Sequence, residues 1–151
     1  MTLRRRVRRP ASGASGAARR QALDVECLHA DANARDPFTA GAFDLVSAHY
    51  ASIPRTPDRR AVRNLLDAVA LGGILLVVGH DLRPMREPLD VASASRPFDP
   101  DAYVRVDDVV EALAGEADWE IERHEIRTRP PGAASAGHHV DDVVLRARRR
   151  R

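Results

Sequence analysis

The chain has 151 residues, 44% of them hydrophobic, enough for one globular domain with a real core and too apolar for a disordered chain. Its longest apolar run, residues 74–78, is far shorter than the roughly 20 residues of a membrane span, and a single cysteine, Cys27, excludes an internal disulfide and suits a reducing, cytoplasmic setting. The net charge of +2 hides an uneven spread: lysine is absent, 12 of the 24 arginines lie in residues 1–20 and 146–151, and residues 21–145 hold the other 12 with all 22 acids, a net −10.

Residues 1–20 read as a basic tail or the remnant of a helix, and residues 21–151 as the domain. The first twenty residues have no apolar middle, so they are no secretory signal. They are Arg-rich and acid-free like a transit peptide, but too poor in apolar residues for an amphipathic helix. Basic ends can hold nucleic acid nonspecifically, yet no aromatic residues interleave with these arginines to stack bases. Nucleic acid and membrane are therefore not expected partners.

The segment "DVECLHADA" (24–32) alternates Val25, Cys27 and His29 against Glu26 and Leu28, a short strand with Cys27 as a core thiol. "ARDPFTAG" is a loop by its Pro and Gly. "FDLVSAH" is a second strand, ending in Ser47 and His49 with Tyr50 just after it. A helix is expected over 57–70, with Thr56 as its N-cap and Pro57 at the first position. Val62, Leu65, Leu66 and Val69 make one apolar face, and Gly72 and Gly73 stop the helix. "ILLVVGHD" follows as a strand apolar on both faces, as a parallel strand should be.

A long loop with four prolines covers 82–100; loops of this length often carry function. Val106, Val109, Val110 and Leu113 predict a second helix over 105–114. "WEIERHEIRTR" (119–129) and "HHVDDVVLRAR" (138–148) are two strands of mixed polarity, an antiparallel pair near a sheet edge. Trp119 is read as packing. His138 and His139 are neighbours, which on a strand point to opposite faces, so no metal site is expected even with His80, Asp81, Asp141 and Asp142 nearby. The order β, β, α, β, loop, α, β, β is α/β, with parallel strands first and an antiparallel C-terminal pair.

"FDLVSAHY", "LLDAVALGG", "ILLVVGHD" and the closing strand pair, in this order and spacing, resemble the C-terminal part of a class I S-adenosylmethionine-dependent methyltransferase. The resemblance covers residues 23–148; Leu71 stands where that family usually has proline. It implies a partial Rossmann-like sheet with a reversed strand near one edge, an S-adenosylmethionine cofactor and a small-molecule methyl acceptor. It also accounts for the polar end of "FDLVSAHY", because ligands of open α/β sheets bind beyond the carboxyl ends of the strands. By resemblance, Asp31 accepts from the adenine amino group and the backbone N–H of Ala32 reaches the ring. Ser47 and Ala48 lie beside the methionine part of the cofactor. His49, as a general base, and Tyr50, as a substrate contact, are the candidate catalytic residues. His80 and Asp81 end the next strand on the same side.

The family's Gly-rich turn between a strand and a helix, and the acid that binds the ribose, have no counterpart. "GASGAA" (13–18) follows no buried strand. The chain reads as starting at the helix before the family's third strand, hence as a truncated form. The two strands it lacks would lie beside the 43–48 strand and leave that edge open, a place for self-association. Two alternatives remain: a noncatalytic relative that binds a partner, and a small nucleic-acid-binding protein using its arginine ends.

Overall fold

A computed structural model describes residues 29–83, 99–129 and 141–151. They form four strands and two α-helices: β1 (Phe43–His49), α1 (Arg60–Ala68), β2 (Val69–His80), α2 (Val106–Leu113), β3 (Trp119–Thr128) and β4 (Asp141–Arg149). The strand expected at 24–32 lies mostly outside the described residues; its last four, 29–32, are coil and the start of a turn. His138, His139 and most of the proline-rich loop also lie outside.

The sheet order is β1-β2-β4-β3. β1 runs parallel to β2, while β4 is antiparallel to both neighbours. The α/β class and the antiparallel closing pair are as expected. The last strand inserts between β2 and β3, and β1 is the outer strand of the described sheet.

Register gives the sheet two unlike faces. Leu75 pairs with Ala147 and Val77 with Leu145 across the β2–β4 ladder, and Val46 and Ala48 pair with Leu75 and Val77 across β1–β2. This face carries the core: Leu75, Leu145 and Ala147 are fully buried beneath Val62, Leu65 and Leu66 of α1 and Val106, Val109 and Leu113 of α2. Both apolar helix faces read from the sequence are the ones buried, and Trp119 joins the same core. The other face carries Leu45, Ser47 and His49 beside Ile74, Leu76 and Val78, then Arg146 and Arg148. Leu45 is 55% exposed there.

The first helix is shorter than its apolar pattern suggests. Arg59 adopts φ 51°, a left-handed conformation that cannot continue a helix, so α1 starts at Arg60. Thr56 still serves the helix start, because its hydroxyl accepts from the Arg60 N–H at 3.1 Å. At the other end the chain is already extended at Val69 (ψ 130°). Gly72 and Gly73 do not stop the helix. They make a detour within β2 after Val69 pairs with Phe43 and before Ile74 pairs with Leu45. Gly72 needs φ +79°, and a Cβ on Gly73 would sit 2.9 Å from the Ala70 carbonyl oxygen and from Val69, so only glycine fits.

The C-terminal arginines are largely tied into the sheet. Arg146 and Arg148 pair with Glu122, and Arg149 with Asp118. Arg148 and Arg149 also donate to the carbonyls of Gly72 and Val69, so this basic run braces the start of β2.

Candidate cofactor and acceptor site

Three chain segments meet beyond the carboxyl ends of β1 and β2. The first is the turn at residues 31–34. Asp31 Oδ1 accepts from the Asn33 N–H at 2.8 Å, closing an Asx-turn. The Asn33 side chain donates to the Pro54 carbonyl at 2.8 Å and accepts from the Ala61 N–H at 3.2 Å. It thereby satisfies one of the free amides at the start of α1 from a distant loop. Asn64 donates to the carbonyls of Ala32 and Ala34 at 2.7 and 3.0 Å. Two asparagines thus hold exposed Asp31 and half-buried Ala32 against α1, beside the loop that follows β1.

The second segment is that loop. Its backbone pairs with residues 102–104: the Arg55 N–H donates to Ala102 and the Val104 N–H to Ile53. Arg55 Nη2 reaches both carboxylate oxygens of Asp108, at 2.6 and 2.7 Å. Asp108 also accepts from the Arg105 N–H at the start of α2. Burial pushes the Asp108 carboxyl up, but these bonds outweigh it and its pKa ends below the ordinary value.

The third is a polar cluster joining the ends of all four strands. The Tyr50 hydroxyl donates to Asp142 Oδ2 at 2.7 Å. Arg129 forks onto the same carboxylate, Nε to Oδ2 at 2.9 Å and Nη2 to Oδ1 at 2.7 Å. Arg129 Nη2 also lies 2.8 Å from His80 Nδ1, which accepts, since a guanidinium can only donate. The Tyr50 and His80 rings stack with centroids 4.6 Å apart, and the Arg129 guanidinium sits 5.3 Å from the Tyr50 centroid. Arg129 and Tyr50 as donors hold the Asp142 carboxyl below the usual range. The hydrogen bond to Asp142, then burial, raises the Tyr50 phenol. Tyr50 therefore stays protonated at neutral pH and is a donor and a ring, not a base. Its backbone is left-handed, φ 49°, a strain the surrounding contacts support.

β1 sorts its candidate residues by alternation. Ser47 and His49 share the open face, where Ser47 Oγ and His49 Nε2 are 2.9 Å apart. Ala48 faces the helices and, with Tyr50, lines a cleft of about 640 Å³ bounded by β2, β3 and α2. His49 and Tyr50 thus diverge, and Tyr50 joins His80, Arg129 and Asp142 instead. Asp81, at the end of β2, is buried and held by Arg83 through Nε at 2.8 Å and Nη2 at 2.6 Å, which lowers its pKa. Among the described residues no group of three or more His, Cys, Asp or Glu is placed to hold a metal ion.

Asn33, Asn64 and Arg129 carry much of this geometry and were not singled out in the sequence. Asn33 does fall within two residues of Asp31 before a proline-containing loop, a turn signal. Arg129 gives no local signal, since its partners are 13, 49 and 79 positions away.

The fold is that of class I S-adenosylmethionine-dependent methyltransferases, of which these strands form the C-terminal part. Similar solved structures include the [4+2]-cyclase SpnF (21% identity, TM-score 0.57), over 92% of this chain and 62% of that one. A SAM-dependent methyltransferase from Methanosarcina mazei matches at 16% identity and TM-score 0.50, over 85% and 66%. YcgJ of Bacillus subtilis matches at 15% and 0.52, over 93% and 78%. The chain thus spans less than two thirds of the length of the first two. No protein-family model matches the sequence, and no curated protein matches it. No helix among the described residues is long and apolar enough to cross a membrane.

Proposed function

We propose that this chain is the acceptor-side part of an S-adenosylmethionine-dependent methyltransferase acting on a small molecule. The observation that carries the reading is the strand order β1-β2-β4-β3 with a reversed β4, because it brings the polar and aromatic residues of four strand ends to the rim where open α/β sheets bind ligands.

The residues fit one end of the cofactor. Asp31 offers an exposed carboxylate on a turn pinned by Asn33 and Asn64, suited to an adenine amino group, with the Ala32 N–H for the ring. Ser47 and Ala48 would flank the methionine end. Among the described residues there is no Gly-rich turn and no ribose-binding acid, so the fit stops there. When bound, S-adenosylmethionine supplies an electrophilic methyl group. His49, with Ser47 Oγ 2.9 Å from its Nε2, lies on the open face, away from the cleft that Ala48 and Tyr50 line, so the general-base role read from the sequence does not extend to an acceptor held in that cleft. Tyr50, its hydroxyl committed to Asp142, positions the acceptor by contact. Much of methyl transfer rests on such alignment.

A second reading, a noncatalytic partner-binding protein, is favoured by one observation. β1 is the outer strand among those described, and Leu45 on it is 55% exposed, which suits strand pairing with another chain, including a second copy. A cytoplasmic setting belongs to both readings. Titrating S-adenosylmethionine into the ¹⁵N-labelled chain tests the first. Amide shifts should concentrate at residues 31–34 and 47–50. Shifts elsewhere, or none at millimolar cofactor, overturn it.

A further inference from the structure

We propose that the cleft bounded by β2, β3 and α2 binds a neutral, mainly apolar small molecule, which, resting on the reading above, is the methyl acceptor. Its volume, about 640 Å³, falls in the range that encloses most of a drug-sized ligand. Its floor is core: Leu65 of α1, Val109 of α2, Val77 of β2 and Val143 of β4. Ile53 and Ile126 continue the apolar wall to the rim, where Ile126 is 44% exposed.

The charged groups along the cleft are paired within the chain, the buried Nε of Arg105 alone lacking a partner among the described atoms. Asp81 is forked by Arg83. Arg105 meets Asp101 at 2.9 Å. Glu125 meets Arg127 at 2.6 Å, and Asp107 faces His124 at 3.7 Å. A charged ligand would have to displace one of these partners or bury its own charge uncompensated, and either is costly. A neutral ligand meets neither cost and gains the apolar walls.

Two fluorescent probes with the same ring system separate the cases: neutral N-phenyl-1-naphthylamine and its sulfonated counterpart 8-anilinonaphthalene-1-sulfonate. The neutral probe should bind saturably at one site, and the sulfonated one at least about tenfold more weakly. Ile126→Lys should weaken the neutral probe by about tenfold, since it places an ammonium at the rim. Ile121→Lys on the same strand and Leu45→Lys on the opposite face should leave it unchanged; all three positions are exposed, so the variants should fold. The proposal is overturned if the two probes bind alike, if the neutral probe does not saturate, or if Leu45→Lys or Ile121→Lys weakens binding as much as Ile126→Lys. Neutral-probe binding that obeys this pattern, with no cofactor-induced shifts at residues 31–34, would sustain the cleft and remove the methyltransferase reading. Cofactor shifts without probe binding would do the reverse.

Discussion

Tyr50 Oη and Asp142 Oδ2, 92 positions apart in sequence, lie 2.7 Å apart, so the turn after β1 is fastened to the second residue of β4. The same carboxylate takes the Arg129 fork, and the ring of Tyr50 stacks on His80. Four strand ends are thereby locked at the rim where the proposed ligands would sit. Removing the hydroxyl with Tyr50→Phe leaves the stacking and the Arg129 pair in place. The expected loss is about 1 kcal/mol of stability, read from urea midpoints. A loss above about 3 kcal/mol would mean that this bond holds the strand ends together by itself.

Asp142 also links the cluster to pH. Its folded pKa lies below the ordinary carboxylate value because Arg129 and Tyr50 donate to it. A group depressed in the folded state stabilises the fold above its unfolded pKa, about 3.9, and the contribution is lost as pH falls through the folded value. The advantage of the wild type over Asp142→Asn should be full near neutral pH and shrink below pH about 4. Urea unfolding at several pH values measures it. A difference that does not change with pH would show that the carboxylate charge plays no part.

The two glycines of β2 should be unequal. Gly73→Ala puts a methyl group 2.9 Å from backbone oxygen and from Val69, so the detour must shift, at a cost of about 2 kcal/mol or more. Gly72→Ala meets only the flexible Arg151 side chain and carries the left-handed penalty of about 1 kcal/mol. Chemical denaturation of both variants ranks them. The reverse order would contradict the geometry assigned to residues 69–74.

Asn33 serves the helix and the turn at once. Asn33→Ala should free the Ala61 amide and loosen residues 31–34, costing about 1 kcal/mol. Hydrogen exchange at Ala61 should quicken in the variant, while protection at Leu75 falls only by the global loss of stability. Unchanged protection at Ala61 would mean that the cap is not formed in solution.

β1 and β2 were legible as apolar runs and β3 and β4 as strands of mixed polarity between turn signals, because pairing and burial write a period into the sequence whatever the topology. The buried faces of α1 and α2 were legible for the same reason. The start of α1 was not: Arg59 has no residue-type signal for φ 51°, and the conformation follows from how the loop is tied to Asn33 and Asp108. Nor was the role of Gly72 and Gly73, since a helix stop and a strand detour call for the same residue. Tyr50, His80 and Asp142 each drew notice separately. Their union depends on β4 inserting between β2 and β3 and on Arg129, a relation that chain order does not contain. His49 and Tyr50 looked alike as neighbours in a polar strand end, yet alternation sends one to the open face and the left-handed turn sends the other to the cluster.

The most direct test is titration calorimetry of S-adenosylmethionine into the 151-residue chain. In the proposed reading Asp31, Ala32, Ser47 and Ala48 would hold the adenine side and the methionine end, and none of the described residues supplies a Gly-rich turn or a ribose acid. Binding should therefore be weak, in the millimolar range or near −4 kcal/mol, and Asp31→Ala should weaken it further. A micromolar dissociation constant, or one indifferent to Asp31→Ala, would contradict the proposed cofactor site.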